Sequence, residues 1–292
     1  MAVLTLLAGC TKTNVPSSPK DPEDPEIPST PQPPYTIVRS EFSTTRDELK
    51  IGGYVYTPEE VTGKKPAIIL CTGLDGTWAD TEPYARAATQ LGYVSCCFDF
   101  CGGPASGEES LSEGEKSENT VQTEIEDLAA VYEAISARED VDPENIILMG
   151  GSQGGLVVGL YAARHPSAVT GLGLMFPAFN LPDLVRDKSA LIDLIPDGGS
   201  FKYEGHVFYK KYLVDVMTLY PFEEIGAFKG PVLIIHGDKD TLVPLSVSEE
   251  AVEIYEDAEL KVIPDQGHGF NAMGTNQAIA ILEEFLPPVI VS

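Results

Sequence analysis

Beyond about residue 36 the apolar positions fall into short unbroken runs separated by segments of helical period. The runs are PAIILC (66–71), YVSCCFDF (93–100), NIILMG (145–150), VTGLGLMF (169–176), PVLIIHG (231–237) and ELKVIP (259–264). Unbroken runs of this length suit strands covered on both faces, as in a parallel sheet. Segments of helical pattern alternate with them at 82–92, 118–139, 155–165 and 248–258, and 276–286 is one more at the C-terminus. Ahead of the first run, TIVRSEF and LKIGGYVYTP alternate apolar and polar residues, like a pair of antiparallel strands. This order predicts an α/β fold: an open, mostly parallel, twisted sheet of about eight strands with helices on both faces and right-handed crossovers.

One interval breaks the rhythm. Residues 177–226 separate two strands by more than a plain crossover needs, and they are rich in proline and aromatic residues. They read as an inserted cap; the alternative is a decorated crossover with its own satellite core. Phe176, Phe179, Phe201, Tyr203, Phe208, Tyr209, Tyr212, Tyr220 and Phe222 supply the aromatics. Aromatics in a cap more often form its own core than a binding surface.

The first 35 residues have a different texture. MAVLTLLAGC is a short apolar run ending in Leu7-Ala8-Gly9-Cys10, too short to span a bilayer as a helix. It resembles a bacterial lipobox, although no Lys or Arg precedes it. The resemblance implies a signal peptide over 1–9 and lipidation of Cys10. The alternative is an ordinary greasy N-terminus with a chance cysteine. Prolines then recur at 16, 19, 22, 25, 28 and 31, followed by 33 and 34. That period favours polyproline II, a stiff tether of about 3.1 Å per residue that cannot form a core. The expected organisation is signal peptide 1–9, anchor and tether 10–35, and one folded domain 36–292, held at the bacterial cell envelope on its periplasmic or cell-surface side. The lipid is then the only membrane contact.

Composition narrows the partners. The formal charge is −26. A surface so acidic repels phosphate backbones, so nucleic acid is excluded as a partner. Of five cysteines, Cys71, Cys96 and Cys97 sit in apolar runs as small core residues. No spacing suggests zinc or a disulfide framework.

The chemistry centres on MGGSQGGLVV (149–158). Small residues around one hydroxyl either permit an awkward turn or let two elements pack closely. Here G-x-S-x-G lies between a strand and a helix, the setting of a nucleophile elbow presenting Ser152. A serine hydroxyl needs a base. Of four histidines, His165 ends a helix, His206 lies in the cap and His236 at a strand end. His268 lies in a glycine-flanked loop after the last strand and is the candidate base. IIHGDKD offers Asp238 and Asp240; Asp240 lies further into the loop and is the candidate acid, with Asp238 holding the turn. Backbone N–H groups of Gln153 and of Leu74, in the loop after the first run, are the candidate oxyanion donors.

FDFCGG, VDPENIILMGGSQGG, FPAFNLPD, PVLIIHGDKDTLVP and DQGHGF together resemble α/β-hydrolase-fold serine esterases of the cinnamoyl (feruloyl) esterase type from gut bacteria. The similarity runs from about residue 36 to the end. It implies the α/β-hydrolase fold, Ser152, Asp240 and His268 as triad, Leu74 and Gln153 at the oxyanion hole, and a cap recognising an aromatic acid. Where that family has His-Gly at the start of the oxyanion loop, this chain has Thr72-Gly73. The expected reaction is hydrolysis of a small-molecule carboxylic ester through an acyl-enzyme, without metal or organic cofactor. Two other readings stand beside it: a serine peptidase or acyl-peptide hydrolase, and a tethered binding protein that has lost its chemistry.

Overall fold

The computed structural model describes residues 35–59, 61–105, 109–203, 205–287 and 289. Cys10, the apolar run before it and the proline-rich segment lie outside the described residues. The strands are β1 (Ile37–Arg46), β2 (Leu49–Pro58), β3 (Lys65–Cys71), β4 (Val94–Phe98), β5 (Val141–Gly151), β6 (Gly171–Met175), β7 (Ser200–Tyr203), β8 (His206–Tyr209), β9 (Val232–Gly237) and β10 (Ala258–Ile263). The helices are α1 (Trp78–Gln90), α2 (Val121–Ser136), α3 (Gln153–Arg164), α4 (Leu181–Arg186), α5 (Ser189–Ile192), α6 (Lys210–Val216), α7 (Pro221–Glu224), α8 (Leu245–Ile254) and α9 (Ala272–Phe285).

Eight strands form one sheet in the order β1-β2-β4-β3-β5-β6-β9-β10. β1, β2 and β4 pair antiparallel, and from β4 onward every pairing is parallel. This is the α/β-hydrolase fold. The unbroken apolar runs have a direct explanation, because successive side chains enter different cores. In β3, Ala67, Ile69 and Cys71 join one cluster while Ile68 and Leu70 join the other. In β9, Val232 and Ile234 divide from Leu233 and Ile235 in the same way. Tyr84, Ala85 and Ala88 of α1 and Ala278 and Leu282 of α9 cover one face. Leu128, Val131 and Ile135 of α2 and Leu156, Val157 and Leu160 of α3 cover the other.

Two local expectations change. The helix read as starting at residue 82 begins at Trp78, four residues earlier, and carries Pro83 inside it. The Thr77 N–H donates to Asp80 Oδ2 at 2.8 Å, and the Trp78 N–H donates to Asp99 Oδ1 at 2.6 Å. These partners satisfy orphan N–H groups of the first turn and draw the helix start forward. The interval 177–226 holds four short helices and the β7–β8 hairpin, which the sequence pattern did not reveal. Among the described residues its buried apolar side chains form no separate core: Phe179, Val185, Ile192, Tyr212, Leu213 and Val216 belong to the same cluster as the sheet and α3.

Candidate active site

Ser152 sits between β5 and α3 at φ 53°, ψ −119°. That left-handed conformation is strained for a residue with a side chain. It is held by bonds on both sides: the Ser152 N–H donates to Met175 O at 2.9 Å, and the Ala178 N–H donates to Ser152 O at 3.0 Å. The strain therefore falls on the serine itself. The glycines two residues away serve close approach. A Cβ at Gly150 would lie 2.3 Å from Gly154 O, and one at Gly154 would lie 2.4 Å from Thr72 O and 2.5 Å from Cys71 O. Gly154→Ala has no flexible neighbour to displace, only backbone. It is expected to cost about 3 kcal/mol of stability, read as a lowered urea midpoint.

Three segments distant in sequence meet at this turn. His268 Nε2 lies 2.8 Å from Ser152 Oγ, and His268 Nδ1 lies 2.7 Å from Asp240 Oδ2. A carboxylate only accepts, so Nδ1 carries the proton, and Nε2 is free to accept from the serine hydroxyl. The Phe176 ring packs on the His268 ring with centroids 4.7 Å apart and meets Phe270 edge-on at 4.9 Å.

Asp240 has no exposed side-chain surface. Its Oδ1 accepts from the N–H groups of Leu242 and Val243, each at 2.9 Å. Fully buried His236 approaches its Oδ2 at 3.3 Å. His236 Nε2 also faces the Val243 carbonyl at 2.9 Å, which accepts only, so this nitrogen is protonated. Its Nδ1 faces Ser248 Oγ at 2.6 Å. Burial alone raises the Asp240 pKa; bonds from His236, His268 and the Val243 N–H outweigh it and hold the carboxyl below the usual carboxylate range. Asp238 stands apart from these contacts and accepts from the Asp265 N–H at 2.6 Å, which ties the strand end to the loop leading to His268. His165 caps the end of α3 beside Tyr161.

The loop after β3 comes up against the elbow. A Cβ at Gly73 would lie 3.3 Å from Ser152 Cβ, which puts the backbone of Gly73, the residue before Leu74, beside the nucleophile. Thr72 Oγ1 donates to Asp80 Oδ2 at 3.3 Å, which ties this loop to α1. Asp75 follows Leu74 at φ 61°. Its Oδ2 accepts from His206 Nδ1 of β8 at 2.6 Å, and its Oδ1 pairs with the Lys116 ammonium.

Sequence reasoning did not find Glu124, although a signal was present. The buried stripe of α2 runs Val121, Glu124, Leu128, Val131, Ile135, with a carboxyl at a position its spacing reserves for an apolar residue. Glu124 Oε2 accepts from Gln153 Nε2 at 2.7 Å, and Oε1 accepts from Asn119 Nδ2 at 3.2 Å. Burial pushes its pKa up to about 7, against the bonds from Gln153 and Asn119 and the charge of Lys116; Asp127 adds to the rise. Its folded pKa thus lies above the unfolded value of about 4.3. The group contributes stability in full below that value, and the contribution is lost as pH rises to about 7. Glu124→Gln is expected to remove this slope: between pH 4.5 and 8 its urea midpoint should gain on that of the wild type. Parallel midpoints across that range would refute the assignment.

Among the described residues no group of three or more His, Cys, Asp or Glu side chains is placed to hold a metal ion.

Comparison with known proteins agrees with this architecture. An uncharacterized protein of Mycobacterium tuberculosis is 30% identical over 227 residues, 77% of this chain and 70% of that one. A monoacylglycerol lipase of Mycolicibacterium smegmatis is 26% identical over 265 residues, 77% of this chain and 91% of that one. The solved structure of Est1E from Butyrivibrio proteoclasticus with ferulic acid bound superposes with a TM-score of 0.75 at 23% identity, covering 84% of this chain and 97% of that one. Residues 80–286 match the prolyl oligopeptidase family. The chain belongs to that family, and it is a hydrolase of the α/β type.

Proposed function

We propose that this protein is a serine carboxylic-ester hydrolase acting on small aromatic, hydroxycinnamate-type or short acyl esters. The observation that carries the reading is the Ser152–His268–Asp240 relay at 2.8 and 2.7 Å on a strained elbow. His268 Nε2 takes the Ser152 proton as Oγ attacks the ester carbonyl. The backbone N–H groups of Gln153 and Leu74 receive the oxyanion, and α3 points its positive end at the same place. His268 then gives its proton to the leaving alcohol and, as base again, activates the water that hydrolyses the acyl-enzyme. Asp240 keeps the imidazole in the productive tautomer throughout.

The aromatic-acid preference is supported by the likeness to Est1E, whose structure has ferulic acid bound. Membership of the prolyl oligopeptidase family favours one second reading, cleavage of amides by the same residues. Hydrolysis of methyl ferulate, p-nitrophenyl acetate and an aminoacyl p-nitroanilide by one preparation separates them. Turnover of both esters is the expected result. Turnover of the acetate alone discards the hydroxycinnamate assignment, and dominant amide turnover sinks the esterase reading.

The envelope location belongs to the same proposal. Full-length protein is expected to partition into detergent, and Cys10→Ala is expected to release it to the aqueous phase. Unchanged partitioning of the variant removes the lipid anchor.

A further inference from the structure

We propose that the cap assembles the oxyanion hole: Tyr212 and His206 of the cap, with Glu124 and Asp75 of the body, are positioning residues that hold Gln153 and the Leu74 loop in place. The proposal rests on the serine-esterase reading given above and adds residues to it.

Gln153 is the residue whose backbone N–H faces the developing oxyanion. Its side chain is a buried neutral amide, with Oε1 able only to accept and Nε2 only to donate. The two needs are met from opposite sides. Tyr212 of α6 donates its hydroxyl to Oε1, and Glu124 of α2 accepts from Nε2 at 2.7 Å. Asn119 in turn donates to Glu124 at 3.2 Å and to Cys101 O at 3.2 Å, which fixes the carboxyl. Tyr212 and Glu124 are both buried, so the chain from cap to body runs out of contact with water.

The other donor is braced by an equivalent contact. Asp75, immediately after Leu74, is held in a left-handed conformation. Its side chain takes His206 Nδ1 from the cap hairpin at 2.6 Å and the Lys116 ammonium from the body, and its carbonyl accepts the Ala105 N–H at 3.1 Å. Lys116 also donates to Gly103 O. A non-glycine residue stays at positive φ only where its surroundings over-determine it. Gln153, and Asp75 beside Leu74, thus each have one partner in the cap and at least one in the body. Removing the two cap contacts would strand Gln153 Oε1 without a donor and leave Asp75 held from the body side alone, by Lys116 and the Ala105 N–H. The physical consequence is that cap seating changes the stability of the tetrahedral intermediate, in addition to any contact with the acyl group.

The test uses p-nitrophenyl acetate, whose acyl group is too small to need cap contacts for binding. Tyr212→Phe and His206→Gln are each expected to lower kcat by about tenfold with KM nearly unchanged, less than the ~100-fold of deleting a donor outright. A trifluoromethyl ketone reports on the hole with no leaving group and no deacylation step, while Ser152 and His268 stay unchanged in both variants. Ser152 Oγ adds to its carbonyl carbon, the serine proton goes to His268 Nε2, and the carbonyl oxygen becomes the anion that the hole must hold. Its affinity should fall in both variants in step with kcat/KM. His206 is partly exposed, so His206→Gln keeps the test valid should Tyr212→Phe fold poorly. Wild-type kcat and inhibitor affinity in folded variants overturn the proposal, as does a rise in KM alone, which would make the cap a binding element only. Failure of the underlying reading looks different: Ser152→Ala would then keep its rate, and the ketone would not bind the wild type.

Discussion

Ser152→Ala is expected to lower kcat on p-nitrophenyl acetate by about 10⁴-fold or more, with KM little changed. The size follows from what the hydroxyl does in the proposed mechanism. Without Oγ no acyl-enzyme forms, and His268 is left to activate a water that the site does not orient. The residual rate comes from the oxyanion donors and from substrate binding alone. The fold should survive, because alanine occupies the same volume less one oxygen and the backbone bonds to Met175 and Ala178 stay in place. Two readouts check this: the rate itself, and labelling by a fluorophosphonate probe, which should be complete in the wild type and absent in the variant. Substantial residual turnover in a folded variant would remove Ser152 from the reaction.

The second large effect is expected at Asp240. Asp240→Asn should lower kcat by about 10⁴-fold, because an amide in place of Oδ2 presents N–H to His268 and favours the tautomer with the proton on Nε2. That tautomer cannot accept from Ser152. Stability should fall as well, for a reason specific to this site. Asp240 receives the Leu242 and Val243 N–H groups, His268 Nδ1 and the protonated Nε2 of His236, all donors. An asparagine amide turns one accepting edge into a donating one, so at least one buried donor loses its partner, at about 1–3 kcal/mol. The pH dependence has a definite sign. The folded pKa of Asp240 lies below the unfolded value of about 3.9, so its contribution is present above that value and is lost as pH falls through the folded one. The wild type should therefore lose its advantage over Asp240→Asn in thermal melts as pH drops below about 4. A variant with near-wild-type kcat would show that His268 does not depend on this carboxylate for its tautomer.

The two predictions draw on information of different kinds. Ser152 was marked by a strand, a glycine-rich turn and a helix in succession, all within one short stretch of chain. Asp240 and His268 were marked by loops after strands in a parallel sheet, where every strand's C-terminal end opens on the same edge. The fold itself was legible for the same reason: periods of two and 3.6 residues are local properties, and unbroken apolar runs announce strands covered on both faces. Glycine's role at the elbow was legible as room around an awkward turn, and the structure adds what needs the room: the strain falls on Ser152, while Gly150 and Gly154 lie against other backbone.

What the sequence by itself determined is the α/β architecture, the elbow, and the loops that carry Asp240 and His268, since each depends on residues close together in the chain. What only the tertiary structure decided is the company these residues keep: His236 on Asp240, Glu124 and Tyr212 on Gln153, His206 on Asp75. Those contacts join residues 4 to 131 positions apart. A buried carboxyl in an apolar helical stripe signals that some partner exists. Which donor it meets depends on how α2, α3 and the cap pack together, and no local period encodes that.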